Sequence, residues 1–266
     1  MTCKALSKKS LKRKLKAGAF VAFTAGAFIF LQRLAKATKE PASADDDNEY
    51  LANPPAAGAY PEPNAYERFG KKALDKIVSF AGLVVLAPVF AAIALAIEID
   101  DPGPVLFRQK RVGKGRHFFE MHKFRSMKMS APKDVPAEAF EDQEKYVTRV
   151  GRFLRKTSLD ELPQLWDVFR GKMSLVGPRP VIWTTKDLIS ERDKYSANDV
   201  MPGITGLAQI NGRDRLDNVK KAELDGQYVK SLRESLFGGF LTDLDCLMAT
   251  PQAVLSEYKR ENSDGE

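Results

Sequence analysis

Residues 77–97 read "IVSFAGLVVLAPVFAAIALAI", 21 consecutive positions without a charge and with Pro88 almost at their centre. A run of this length crosses the hydrocarbon of a bilayer when helical. Proline removes a backbone donor and clashes with the preceding turn, so a helix through this stretch is expected to kink or break there. A buried core helix is the alternative for any apolar run; the length and the lack of polar residues favour a membrane segment.

Working outward toward the N-terminus, residues 38–66 include "EPASADDDNEYLANPPAAGAYPEPN", whose Pro, Ala, Asp and Asn cannot build a core and read as a flexible linker. Ahead of it, "AGAFVAFTAGAFIFLQ" (17–32) follows the basic run "KKSLKRKLK" and reads as a membrane anchor or an interface-lying helix. A secretory signal has a similar layout, but Arg33 and Lys36 beside the would-be cleavage site argue against one. The working domain therefore begins near Tyr66.

On the other side, Val105–Gln109 and Phe118–Phe124 alternate like strands around the glycine-bearing turn "VGKGR", predicting a β-hairpin. From Arg108 to Lys128 there are eight Lys or Arg residues and one acid, Glu120. The whole chain has a formal net charge of +7 and a pI near 9.2. Such a balance suits nucleic acid, a phospholipid surface or a phosphorylated substrate. Placed directly after a membrane segment, the basic run favours phosphate groups at the bilayer surface, where each cation is worth about 1 kcal/mol. No RNP, KH, zinc-finger or helix-turn-helix pattern is present, which disfavours nucleic acid. No P-loop occurs, the two cysteines give no disulfide framework, and the two histidines, His117 and His122, read as hairpin residues and not as ligands.

The chemistry gathers around "RKTSLDELPQLW" (155–166). Ser158 and Glu161 have capping-box spacing, Asp160 is a favoured N-cap type, and Leu162, Leu165, Trp166 and Phe169 share a helical face, so a helix over about 161–170 with Gly171 as its stop is predicted. Capping does not explain two adjacent carboxylates among many cations. Lys123, Arg155, Arg179 in "VGPRP" and Arg213 in "NGR" all occupy loops, turns or strand ends from which they can converge on one anion. Prolines on both sides of Arg179 bias its backbone to extended geometry. A simple turn is the plain alternative for both glycine- and proline-rich stretches. Carboxylates plus several cations describe a diphosphate site. Carboxylate attack on phosphorus needs neutralising guanidinium or ammonium groups and a divalent cation, for which magnesium (Mg2+), held by Asp160 and substrate phosphates, is the natural ion.

The C-terminal part is helical by spacing, and the stripe Phe237, Phe240, Leu241, Leu244, Leu247 and Met248 is predicted to face the core, with Asp225 on the earlier helix lying off it.

"LRKTSLDELPQLWDVFRGKMSLVGPRP" (154–180), followed by "PGITGLAQINGR" (202–213) and "ELDGQYV" (223–229), closely resembles the bacterial sugar transferases, the monotopic polyprenyl-phosphate phosphoglycosyltransferases. The resemblance runs from about Lys71 to Met248. It implies transfer of a sugar 1-phosphate from a UDP-sugar to membrane polyprenyl (undecaprenyl) phosphate with release of UMP, the step that starts an exopolysaccharide, capsule, O-antigen or glycoprotein glycan. By position it makes Asp160 the nucleophile that forms a covalent phosphosugar intermediate and Glu161 its partner, with magnesium assisting. Lys123, Arg155, Arg179, Arg213 and Asp225 become substrate- or metal-site candidates. It also implies that 77–97 re-enters at Pro88 and leaves on the cytoplasmic face of the bacterial inner membrane. Ala87 stands where many relatives have a serine able to satisfy the broken backbone.

The expected fold is α+β and predominantly helical: a membrane-embedded, proline-broken, re-entrant helix followed by a compact cytosolic catalytic domain with a small β-hairpin. The divisions are a basic N-terminus and anchor (1–37), linker (38–66), broken helix (67–100), catalytic domain (101–258) and tail (259–266). If 17–32 spans with its basic flank inside while 77–97 only re-enters, the catalytic domain falls on the wrong side for nucleotide sugars, so the two stretches cannot be read independently. The competing function is a catalytically idle membrane scaffold of a glycan assembly complex. A soluble phosphoaspartate phosphatase is disfavoured by the missing Asp-x-Asp pair. Motifs do not encode which sugar is carried.

Overall fold

The computed structural model describes residues 61–131, 143–212 and 215–263. The expected anchor at 17–32 and nearly all of the linker lie outside the described residues.

The apolar stretch folds as two helices, α1 (Lys71–Val85) and α2 (Ala87–Asp100), bent by 60° about Leu86. Pro88 lies in the first turn of α2, where backbone N–H groups lack intrahelical partners and a missing donor costs nothing. No described helix alone is long and apolar enough to cross a membrane; the bent pair together is, by length and composition.

The helix α1 is amphipathic in an inverted sense. Lys71, Asp75 and Ser79, spaced by four residues, are buried, and Glu67 continues the row into the preceding turn Tyr66–Gly70. Lys71 Nζ lies 2.6 Å from Asp243 Oδ2, and Asp75 Oδ1 accepts the Leu175 N–H at 3.0 Å. The opposite side exposes Ile77, Phe80, Val84 and Val85, and α2 exposes Leu95 and Ile99. Contiguous exposed apolar surface of this kind marks an interaction site. The inner residues Leu83, Phe90, Ile93 and Ile97 pack with Phe124 and Leu154.

Strands β1 (Leu106–Val112) and β2 (Phe118–Phe124) form the expected antiparallel hairpin, with Phe107 opposite Lys123 and Val112 opposite Phe118. β1 runs three residues beyond its predicted end. The glycine-rich stretches, read as turns or loops, also contain a second, parallel pair: β3 (Ser174–Val176) beside β4 (Gly203–Thr205). Their glycines are steric necessities, because a Cβ on Gly177 would lie 2.3 Å from the Met201 carbonyl oxygen and one on Gly203 would lie 2.1 Å from the Gly177 nitrogen.

The remaining helices are α3 (Gln143–Tyr146), α4 (Arg149–Lys156), α5 (Gln164–Phe169), α6 (Lys186–Asp193), α7 (Leu207–Ile210), α8 (Asn218–Glu234) and α9 (Leu236–Ser263). The main core joins Phe119 and Met121 of β2 to Val168, Leu175, Val176, Tyr228, Leu232 and Cys246.

Two predictions are corrected. The stripe on α9 does not face the core: Phe237 is 79% exposed and Met248 72%, with Leu241 and Leu244 also exposed, while Leu247 alone of the clearly inner positions packs on the core. The inward face instead carries Asp243, Cys246 and Thr250. Asp243 receives Lys71, Tyr66 and Tyr228, and Thr250 meets Thr205 at 2.7 Å. Secondly, the predicted helix over 161–170 is divided into a 3-10 turn (Leu159–Glu161) and α5, and Ser158, at φ +54°, leads into the turn without supplying a capping hydrogen bond. Asp160 lies within that turn and not at an N-cap. Gly171, at φ +73°, ends the helix as expected.

Helix α4 is seated by Gly151. A Cβ there would fall 1.9 Å from the Ser126 carbonyl oxygen, a backbone atom that cannot step aside. Helix propensity alone would make Gly151→Ala stabilising by about 1 kcal/mol; the contact reverses the sign. Gly151→Ala is expected to destabilise by about 3 kcal/mol, lowering the thermal unfolding midpoint by roughly 10 °C, measurable by scanning calorimetry.

Candidate active site

The 3-10 turn between α4 and α5 presents Asp160 and Glu161 side by side, and three other elements bring cations to them. β2 supplies Lys123, whose Nζ lies 2.8 Å from Glu161 Oε1 and 4.0 Å from Asp160 Oδ2. The segment after β3 supplies Arg179, which forks onto Glu161 with Nη2 to Oε1 at 2.7 Å and Nη1 to Oε2 at 3.3 Å. The last turn of α4 supplies Arg155, whose charge acts on Asp160. Two-point arginine contact with a carboxylate is both strong and directional.

The two acids are thereby driven apart. Burial raises the pKa of Asp160, and the adjacent Glu161 charge adds to this against the pull of Lys123, Arg179 and Arg155. Burial alone would raise Glu161 also, but Arg179 and Lys123 outweigh it and hold its carboxyl well below the usual range. Glu161 is the ionised half of a charge-neutralised cluster, and Asp160 is the more basic carboxylate next to it. Environments that separate two acids in this way are characteristic of reactive pairs.

The supporting contacts are buried or partly buried. Asp167 of α5 accepts the His122 N–H at 2.9 Å and meets His122 Nδ1 at 2.7 Å, pinning the residue before Lys123 to the helix that follows Glu161. His122 thus has a structural place in the hairpin. Arg111 Nη1 donates to the Pro180 carbonyl at 3.2 Å, and Arg192 Nη1 to the Arg179 carbonyl at 2.9 Å.

Of the residues singled out from sequence, the structure brings Lys123, Arg155, Asp160, Glu161 and Arg179 together. Asp225 is not exposed at the dyad; it is buried on α8 and paired with Arg192 Nη2 at 2.6 Å. Arg213 lies outside the described residues. Arg192 lies in no motif, and Arg111 and Asp167 lie within the basic run and the dyad stretch; what distinguishes all three is their contacts with the backbone around the site.

Among the described residues there is no cluster of three or more His, Cys, Asp or Glu side chains able to cage a metal ion. A magnesium ion needs only one or two carboxylates beside phosphates and water; within the dyad Glu161 is engaged by Arg179 and Lys123, so Asp160 is the residue that would hold such an ion.

The site is a carboxylate dyad of low exposure, one acid neutralised by Arg179 and Lys123 and its neighbour left the more basic. A sequence profile described as bacterial sugar transferase matches residues 66–257, and the chain belongs to that family. It is similar to an undecaprenyl-phosphate glucose phosphotransferase of Komagataeibacter xylinus (42% identity over 62% of this chain and 33% of the relative). It is also similar to the UDP-glucose:undecaprenyl-phosphate glucose-1-phosphate transferase of Escherichia coli (38%, covering 68% and 41%). A third relative is a UDP-N-acetylgalactosamine-undecaprenyl-phosphate N-acetylgalactosaminephosphotransferase of Aeromonas hydrophila (37%, covering 64% and 41%). The matched regions span less than half the length of each of these three relatives.

The split between the acids has opposite consequences for stability. Burial raises the folded pKa of Asp160 and so disfavours its charged form in the folded state, and Asp160→Asn is expected to raise the unfolding midpoint by roughly 2 °C. Glu161 has a depressed folded pKa: its contribution is present above the ordinary glutamate range and is lost as pH falls through the folded value. Glu161→Gln leaves Arg179 and Lys123 without their counter-charge and is expected to lower the midpoint at pH 7 by roughly 5 °C or more. Thermal unfolding of the two variants at pH 7 checks both signs.

Proposed function

We propose that this protein transfers a sugar 1-phosphate from a UDP-hexose to a membrane polyprenyl phosphate, forming a covalent aspartyl intermediate on Asp160 and releasing UMP. The observation that carries this reading is the division of labour in the dyad: Glu161 is saturated by Arg179 and Lys123, while Asp160 is buried, adjacent and more basic. The relatives are named for glucose and N-acetylgalactosamine donors, which supports a UDP-hexose as the donor class.

In this reading an ionised Asp160 oxygen attacks the phosphorus that bears the sugar. The phosphoanhydride bond breaks, and its electron pair leaves with UMP. A phosphate oxygen of the polyprenyl carrier then attacks the same phosphorus, the aspartyl–phosphate bond breaks, and Asp160 returns as a carboxylate with the sugar diphosphate now on the lipid. Arg179, Lys123 and Arg155 offset the negative charge that otherwise repels a carboxylate from a phosphate. Magnesium held by Asp160 and the donor's phosphates would supply further charge neutralisation.

The acceptor's location agrees with the exposed apolar sides of α1 and α2, to which α9 adds Phe237, Leu241, Leu244 and Met248. These surfaces seat the domain on the membrane lipids, with the dyad at the polar boundary. Because nucleotide sugars are cytosolic, the domain belongs on the cytoplasmic face of the cell membrane. The product begins the assembly of a lipid-linked surface glycan.

The test incubates membranes containing the full chain with labelled UDP-hexoses, magnesium and undecaprenyl phosphate. Label in the lipid fraction together with UMP is expected, and Asp160→Asn should lower both by about 10^3-fold or more. Release of UDP in place of UMP, or normal glycan assembly in cells carrying Asp160→Asn, would overturn the reading.

A further inference from the structure

We infer that Arg192 and Asp225 form a positioning pair that sets the place of Arg179, so that Asp225 serves the site through Arg192 and not as a ligand of metal or substrate. The inference rests on the transfer reading above and assigns roles within the same site.

Asp225 lies on α8 and is 1% exposed. Its Oδ2 accepts from Arg192 Nε at 2.8 Å and is 2.6 Å from Arg192 Nη2. The remaining arm of the guanidinium, Nη1, donates to the main-chain carbonyl of Arg179 at 2.9 Å. One planar group thus ties a buried carboxylate to the backbone of the residue whose own guanidinium grips Glu161. A lysine cannot reproduce this, because an ammonium is a single point and not a fork.

The platform beneath the pair is rigid. The end of α6 is held by Asp193, which accepts from Arg116 Nε at 3.0 Å and from Asn198 Nδ2 at 2.6 Å. Gly226, next to Asp225, lets α8 approach so closely that a Cβ there would lie 2.6 Å from the Tyr195 Cβ. Pro178 and Pro180 flank Arg179, and Arg111 holds the Pro180 carbonyl. The backbone of Arg179 is therefore fixed from two sides, and Arg192 is one of them.

The burial of Asp225 also argues against direct ligation. Magnesium keeps several of its waters and binds where phosphates can reach. A carboxylate that is 1% exposed and already shared by two guanidinium nitrogens offers neither access nor vacant lone pairs on its engaged oxygen. Burial pushes its pKa up while Arg192 opposes the shift, as expected for a paired internal charge and not for a solvated ligand.

The test is a double-mutant cycle read on single-turnover UMP formation by the full-length protein. Arg192→Lys and the isosteric Asp225→Asn are made alone and together with Arg179→Ala, and reactions are followed long enough to quantify slow variants. Alone, each substitution is expected to slow UMP formation about tenfold or more, since small displacements of a charge-neutralising group are costly. With the Arg179 side chain removed, the further loss is expected to be less than about twofold, because the pair then has nothing to position. The magnesium concentration giving half-maximal rate is expected to be unchanged in both. A loss of equal size in the two backgrounds, as general structural damage would give, overturns the inference; so does a shift in the magnesium midpoint with Asp225→Asn alone. A wild-type protein that forms no UMP removes the transfer reading and this inference with it, whereas an active wild type with independent effects removes only the pairing.

Discussion

The salt link between Glu161 and the Arg179 fork, completed by Lys123, is the interaction on which the rest of this site depends. Two carboxylates in adjacent residues cannot both remain charged and buried without compensation. Here one of them collects the strong contacts, and its neighbour is left with raised proton affinity inside a positive surrounding. The neighbouring contacts fix the geometry of this cluster. His122 and Asp167 hold the strand that carries Lys123, Arg192 and Arg111 hold the backbone around Arg179, and Gly151 lets the helix bearing Arg155 settle against Ser126. The dyad itself lies on a short 3-10 turn entered through a left-handed Ser158, so its position is set by these neighbours and not by a long helix.

The second constraint is the inverted helix. In α1 the polar residues Lys71, Asp75 and Ser79 point inward while Ile77, Phe80, Val84 and Val85 point outward, which in water would be unfavourable on both counts. Lys71 is satisfied by Asp243 and Asp75 by the backbone of β3, which makes a specific joint between the helical hairpin and the domain, while Ser79 donates to the Lys76 carbonyl of its own helix. Asp243 gathers Lys71, Tyr66 and Tyr228 at one point of α9. That same commitment turns the apolar side of α9 outward, parallel in character to the exposed sides of α1 and α2. The transfer reading gives these surfaces a common purpose: they place a water-soluble donor site at the edge of the phase that holds the lipid acceptor.

Much of this architecture was legible from residue order. The break at Pro88 follows from the chemistry of one residue, and the hairpin from alternation around a glycine turn. The gathering of Lys123, Arg155 and Arg179 about the dyad follows from the need to compensate adjacent acids. What escaped the sequence did so for identifiable reasons. Periodicity shows that α9 has an apolar stripe but not which side is wet, and the small polar residues Asp243 and Thr250 turned out to define the inside. Strands of three residues, such as β3 and β4, are too short for alternation to register, and their glycines resemble turns until the approach of two backbones is seen. Arg192 lies in an ordinary charged helix, and its partnership with Asp225 exists only in three dimensions. The left-handed Ser158 was likewise hidden behind a sequence that reads well as a capping box.

The central claim is that Asp160 forms a bond to phosphorus, and the most direct measurement is mass spectrometry of the protein quenched after exposure to a UDP-hexose without lipid acceptor. The expected result is a mass increase of one hexose phosphate, localised to the peptide containing Asp160, absent in Asp160→Asn and discharged on addition of undecaprenyl phosphate. Formation of lipid-linked sugar by a protein that never carries this adduct would contradict the account.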